Sequence, residues 1–310
     1  MKRPAEVLEE APGVEVPDVQ GQPPPVPAPV PDRGGFRLVD AAPWIAALIG
    51  GIGGIGALGY LRGRYQHSTV FLPDRYPDGV WEPGEHGLTT EDVWFRAADG
   101  VDLHGWWIGH PSARGTLLYC HGSSGSIAQR VGVLRQLAEL RMNLFAFDYR
   151  GYGRSGGVPS ERGLYADAEA AARHAAANRT PDRPLIYWGR SLGGVVAAAA
   201  ARAVPPDALI LESTFAEKSS ILRLNPLMRV LNLFSSYELN TVEHLRGFTR
   251  PVLVVHAERD TVIPFRLGRE LFERLEGPKT FVTLKGGDHN DLYERSHSAY
   301  WKPIREFIEQ

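Results

Sequence analysis

Three segments of this 310-residue chain hold side chains whose types and order could do covalent chemistry. The first, Gly189-Arg190-Ser191-Leu192-Gly193-Gly194, follows the apolar run Leu185–Trp188 and precedes the helix-forming run Leu192–Ala203. A G-x-S-x-G pattern in that setting predicts a sharp strand-to-helix turn that presents the Ser191 hydroxyl. The N-terminus of the helix that follows carries partial positive charge, which favours an oxyanion beside it. A serine hydroxyl is a weak nucleophile near neutral pH and needs a base, which in turn needs an orienting carboxylate. Asp260 stands just after the apolar run Val252–His256, and His289 just after Lys279–Leu284. Asp260 would accept a hydrogen bond from one imidazole nitrogen of His289, while the other nitrogen takes the proton of Ser191. Glu258 and Asp288 are weaker carboxylate candidates. Glu258 lies too close to its strand, and Asp288 directly precedes the histidine, so it points elsewhere on a turn. His121, His256 and His297 read as loop, strand-end and helix-surface residues.

A tetrahedral intermediate needs hydrogen-bond donors. The segment His121-Gly122-Ser123-Ser124-Gly125-Ser126 follows the run Thr116–Cys120, so the backbone amides of Ser123 and Leu192 are the expected oxyanion hole. The glycine-rich stretch Asp148–Gly157 lacks the Lys-Ser/Thr pair of a phosphate loop and runs into Val158-Pro159, so a tight structural loop is expected. The single cysteine, Cys120, excludes an intrachain disulfide and a thiolate metal cluster, and its apolar surroundings predict a buried thiol. No metal or organic cofactor is expected.

The elements that must position these groups follow from periodicity. Val93–Ala97 and Leu103–Ile108 read as an antiparallel pair joined through Ala98-Asp99-Gly100. Short apolar runs then recur at Thr116–Cys120, Asn143–Phe147, Leu185–Trp188, Ala208–Leu211, Val252–His256 and Lys279–Leu284. Helical stretches lie between most of them: Arg130–Leu140, Leu164–Asn178, Leu192–Ala203 and Phe265–Leu275. This alternation predicts an α/β fold, a mostly parallel sheet with helices on both faces and ligands at the carboxyl ends of its strands. Glu212–Arg250 is too long for a simple loop and reads as an insertion of two short helices broken at Asn225-Pro226. Its stripe Ile221, Leu224, Met228, Leu231 and Phe234 reads as packing onto the body, with lining of an acyl pocket as the other use. Trp81, Trp94, Trp106 and Trp107 read as packing residues.

In this order and spacing, HGSSG (121–125), DYRGYGRSGG (148–157), GRSLGG (189–194), HAERDTVIP (256–264) and GGDHN (286–290) resemble the α/β-hydrolase superfamily. In detail they are similar to its membrane-anchored α/β-hydrolase-domain-containing branch, which includes protein depalmitoylases. The resemblance covers roughly Leu88 to Ile308. It implies an eight-stranded, mostly parallel sheet, a small cap at about 213–250, a Ser191, Asp260, His289 triad and an acyl-enzyme mechanism. The chain departs from the depalmitoylases at its N-terminus, where those enzymes resemble one another in a cysteine-rich lipidated segment.

Here residues 1–40 hold nine of the 24 prolines, including QPPPVPAPVP, and read as a disordered tail, a spacer that could also engage a proline-reading partner. The run 41–61 is uncharged, and as a helix would span about 31 Å, enough for one membrane crossing. Gly50 with Gly54 suits helix pairing, and Trp44 and Tyr60 sit where interfacial aromatics belong. Gly51, Gly53 and Gly56 satisfy G-x-G-x-x-G but lack the strand, helix and closing acid of a dinucleotide site. The expected organisation is thus a tail (1–40), a single-pass anchor (41–61), a linker (62–87) and a catalytic domain (88–310), the rival reading of 41–61 being a signal peptide cleaved at Ala57-Leu58-Gly59, against which the long acidic tail ahead of it argues. The flanking arginines are too evenly split to orient the anchor. A net charge of -2 implies no bulk attraction to nucleic acid. The expected activity is a serine hydrolase acting on an acylated or small-molecule ester, thioester or amide. Acyl transfer on the same triad and a non-catalytic, membrane-tethered binding protein are the alternatives.

Overall fold

A computed structural model describes residues 70–223, 237–292 and 297–310. The proline-rich tail, the apolar run 41–61 and the cap positions Leu224, Met228, Leu231 and Phe234 lie outside the described residues. Among the described residues, no helix is long and apolar enough to cross a membrane.

The sheet has eight strands: β1 (Glu91–Arg96), β2 (Asp102–Ile108), β3 (Thr116–Cys120), β4 (Asn143–Phe147), β5 (Leu185–Arg190), β6 (Ala208–Glu212), β7 (Val252–Ala257) and β8 (Lys279–Leu284). Their order is β1-β2-β4-β3-β5-β6-β7-β8, and all neighbours from β4 to β8 are parallel, while β2 is antiparallel to both β1 and β4. β3, β5 and β7 are buried along their whole length because helices cover both faces, which is why they read as unbroken apolar runs. Successive residues face opposite ways. Leu118 and Cys120 enter one core with helices α2 (Glu161–Ala177) and α3 (Leu192–Ala203), whereas Leu117 and Tyr119 enter the other with α1 (Val131–Ala138) and α7 (His297–Ile308).

The helices show why these stretches coil. α2 opens at Ser160, whose side chain accepts from the Gly163 amide, and buries Leu164, Ala168, Ala171, Ala172 and Ala175 at helical spacing. α3 is buried nearly all round, and its alanine run lets α2 pack close over it. α4 (Lys218–Leu222) and α5 (Thr241–His244) flank the cap, and α6 (Phe265–Arg274) buries Leu267 and Leu271. α7, which the sequence periodicity argument did not include, seats Tyr300, Trp301, Ile304 and Phe307 in the core. Trp94 departs from the packing assignment: it is 58% exposed on the edge strand β1, its ring lying over His104 at 4.9 Å.

The segment read as a linker is, from Val70 onward, stitched to the domain. Phe71 is buried, the Leu72 amide donates to Ser123 O and the Gly125 amide to Leu72 O, both at 3.0 Å, and the Tyr76 amide donates to Gly153 O. The strand order reverses between β3 and β5, the switch point where parallel sheets open a crevice at their carboxyl ends. The HGSSG and GRSLGG segments leave the sheet there.

Close backbone approach at this point demands glycine. A Cβ on Gly193 would fall 2.0 Å from Cys120 O and 2.5 Å from His121 O. Gly193→Ala should therefore lower unfolding stability by at least about 2 kcal/mol, read from denaturant midpoints. A change under about 0.5 kcal/mol, the size expected of a neutral site, would show that the loop after β3 retreats freely.

Candidate active site

Ser191 caps α3 with φ 55° and ψ −121°, a left-handed conformation that costs a non-glycine residue about 1–3 kcal/mol. Its surroundings hold it there. The Ser191 amide donates to Glu212 O at 2.9 Å, the Thr214 hydroxyl donates to Ser191 O at 2.7 Å, and the Gly194 amide donates to the same oxygen at 3.0 Å. Leu192 is the first residue of α3, so its amide is one of those that a helix leaves without an intrahelical acceptor.

The loop after β3 meets this turn directly: a Cβ on Gly122 would lie 3.6 Å from the Ser191 Cβ. Hydroxyls fix the loop from below, Tyr149 donating to His121 O at 2.6 Å and Tyr152 donating to Ser123 O at 2.7 Å. His121 is buried and stacked on Tyr149 with ring centroids 4.2 Å apart, a supporting rather than reactive setting. Ser123 thus belongs to the loop that meets the Ser191 turn, and Leu192 opens the helix directly after it.

Asp260 and His289 come together after β7 and β8. His289 Nδ1 lies 2.8 Å from Asp260 Oδ2, and both residues are buried. The other carboxylate oxygen accepts from the amides of Val262 at 3.0 Å and Ile263 at 2.7 Å. Burial pushes the Asp260 carboxyl up, but the His289 hydrogen bond and charge and the Ile263 amide outweigh it, holding it below its ordinary value. An ionised carboxylate can only accept, so His289 carries its proton on Nδ1 and leaves Nε2 as the basic nitrogen.

The rival carboxylates have other places. Glu258 is exposed. Asp288 ties the two loops together, Oδ1 accepting from the Thr261 amide at 2.7 Å, the Thr261 hydroxyl at 2.9 Å and the His289 amide at 2.6 Å. His256 is buried under Asp260 with Nε2 2.7 Å from Ile263 O, and burial lowers its basicity. Cys120 is a buried free thiol whose burial pushes its pKa well up, which leaves it inert as a nucleophile. In the Asp148–Gly157 loop, Arg150 pairs with Asp99 and Asp167, and the Ser155 hydroxyl donates to Asp148 O at 2.7 Å, a self-bonded structural loop. Among the described residues, no group of three or more His, Cys, Asp or Glu side chains could hold a metal ion.

Two neighbours of the site escaped the motif reading. Arg190 and Glu212 are paired positions on β5 and β6, both buried, with Arg190 Nε 3.3 Å from Glu212 Oε1. Arg190 Nη2 donates to the backbone oxygen of His289 and, at 3.1 Å, to Asn290 Oδ1. A charge of each sign closing two adjacent apolar runs was the available signal.

Comparison with known proteins agrees with this architecture. A sequence-family profile described as "Serine aminopeptidase, S33" matches residues 111–243, and one described as "TAP-like protein" matches residues 235–310. The α/β-hydrolase domain-containing protein WAV2 of Arabidopsis thaliana is 31% identical, over 86% of this chain and 95% of that protein. The lysophosphatidylserine lipase ABHD12 of Mus musculus is 33% identical over 74% of this chain, and the match spans 63% of the lipase's own length. An esterase of Pyrococcus furiosus superposes with a TM-score of 0.62 at 21% identity, covering 78% of this chain and 98% of that one. An acetyl xylan esterase from Paenibacillus gives a TM-score of 0.58 at 20% identity, covering 81% and 92%.

Two outcomes follow from the geometry. Ser191→Gly relieves the left-handed strain and should raise stability by about 1 kcal/mol; an unchanged or lower thermal midpoint would show the turn to be relaxed. Asp260, with its folded-state pKa below its unfolded one, contributes stability that is present above about pH 4 and lost as pH falls through the folded value. Thermal midpoints measured from pH 6 to 2 should therefore fall more steeply for the wild type than for Asp260→Asn, and parallel profiles would contradict the assigned shift.

Proposed function

Since the chain belongs to the α/β-hydrolase superfamily, in its α/β-hydrolase-domain-containing branch, and is an enzyme of that type, we propose that it is a serine hydrolase opening carboxylic esters or thioesters through an acyl-enzyme. The observation that carries this reading is the buried Asp260–His289 pair, held on loops at the same carboxyl end of the strands as the strained Ser191 turn. Ser191 Oγ attacks the acyl carbonyl while Nε2 of His289 takes its proton. The oxyanion collects hydrogen bonds from the amides of Ser123 and Leu192, each such donor being worth about 2.7–4 kcal/mol in comparable enzymes. His289 then returns the proton to the departing oxygen or sulfur, leaving Ser191 acylated. Water, deprotonated by the same nitrogen, repeats the sequence and frees the acid. Asp260 keeps the imidazole in the required tautomer and stabilises the imidazolium that forms.

The name of the mouse relative makes a lysophospholipid acyl ester the first substrate class to try. The apolar run 41–61, as a membrane anchor, would keep the site near such substrates.

A fluorophosphonate probe should label the full-length wild type and fail to label Ser191→Ala. Asp260→Asn should slow labelling and turnover by about 10³–10⁴-fold. No labelling of the wild type, or undiminished labelling of Ser191→Ala, would defeat the proposal. Product analysis with p-nitrophenyl esters of graded length, matched thioesters and lysophosphatidylserine reads the specificity. Predominant acyl transfer to an added alcohol would make the enzyme a transferase.

A further inference from the structure

Strand order creates a positioning problem. β8 is separated from β5 by β6 and β7, so at about 4.8 Å per strand the loop that bears His289 starts roughly 14 Å from the strand that bears Ser191. β8 is also an edge strand, fully buried at only one of its six positions, and offers that loop little rigid support. Pairing with Asp260 sets the imidazole relative to β7, not to the nucleophile. Something must refer the base to β5.

Arg190 spans that gap. It is the last residue of β5, immediately before Ser191, and is only 6% exposed. Its guanidinium holds the loop by the backbone of His289 itself and by the side-chain oxygen of Asn290. On the other side Nε faces Glu212, 2% exposed, whose second oxygen accepts from Trp188 Nε1 at 2.8 Å and from the Tyr300 hydroxyl at 2.9 Å. Trp188 belongs to β5 and Tyr300 to α7, so the carboxylate that anchors the cation is itself bolted to two rigid elements. Burying a charge costs several kcal/mol per ion unless partners surround it, and an unbroken apolar ending to β5 would be the simpler way to stabilise the sheet. A charge kept where the local pattern argues against it marks a functional requirement.

We infer that Arg190 is a positioning residue that fastens the base-bearing loop, residues 286–290, to the nucleophile strand through the His289 backbone, with Glu212 as its anchor. Arg190 touches neither substrate nor the reacting atoms in this scheme; it acts through His289. The inference deepens the serine-hydrolase reading and rests on it for its kinetic consequence, whereas the tether itself is a structural claim.

The test compares wild type, Arg190→Met, Arg190→Lys and Asn290→Ala in the full chain. The measurements are p-nitrophenyl ester kinetics and amide hydrogen exchange resolved over residues 286–292. Arg190→Met should lower kcat at least 100-fold with KM within threefold. Lysine, which restores the charge with a less suitable donor geometry, should recover about tenfold of that loss. Exchange in 286–292 should quicken at least tenfold while β5 and β7 stay protected. A folded Arg190→Met enzyme with kcat within threefold of wild type overturns the inference, as does unchanged exchange in the loop. If exchange quickens uniformly across the sheet, Arg190 is a general stabiliser and the inference is also overturned. Should the methionine variant fail to fold, Asn290→Ala, which removes one acceptor without stranding the cation, should still cost three- to tenfold in kcat with faster local exchange; no change in either defeats the proposal. Because exchange is read without the probe, an unlabelled wild type would sink the hydrolase reading while the tether was still judged on its own.

Discussion

A serine held at φ 55° persists only where its neighbours leave no cheaper arrangement, and at Ser191 they are backbone groups joined by the Thr214 hydroxyl. The Glu212 carbonyl takes its amide, Thr214 and Gly194 take its carbonyl, and the carbonyls of Cys120 and His121 press against Gly193. β3, β5 and β6 each contribute to this grip, so the turn is as firm as the middle of the sheet. The reversal of strand order between β3 and β5 supplies the open side, which is where parallel sheets of this kind admit their ligands.

The Asp260–His289 pair shows the complementary use of burial. Removing a carboxylate from water is unfavourable, yet two amides and an imidazole return more than the burial takes, so the group stays charged in the interior. Asp288 lies outside that buried core and does a different job, drawing the Asp260 and His289 loops together through Thr261. Asp260, buried, and Asp288, part exposed, thus hold the same two loops in different ways, one through the imidazole and the other through Thr261 and the His289 amide.

Much of this was legible in the chain. The strands β3, β4 and β8 begin and end where their apolar runs do, because coverage on both faces or a turn at the end leaves no ambiguity. The order of Ser191, Asp260 and His289, each just past a strand, follows from the same runs. What stayed hidden depends on register. The apolar runs stop at Trp188 and Leu211, but β5 and β6 continue to Arg190 and Glu212, two opposite charges that stand directly across the ladder as a buried ion pair. Nothing along either strand alone reveals that pairing. The packing of Phe71 is hidden for a related reason, a single aromatic residue in a short polar segment declaring its burial only when the partner surface exists, whereas α7 carries Tyr300, Ile304 and Phe307 at helical spacing, a signal interrupted by Pro303.

The strap from Val70 to Tyr76 joins the loops after β3 and β4 through main-chain bonds, while Leu72 itself is half exposed. The main-chain bonds at Leu72 and Tyr76 are indifferent to side-chain identity but sensitive to spacing, whereas Phe71 is held by its burial, so the strap fixes its length and its one core side chain while exposed positions such as Leu72 are free to vary. A pull on this strap would be shared by the Phe71 packing and the main-chain bonds to Ser123 and Gly153, so the loops after β3 and β4 are mechanically joined through one segment of chain.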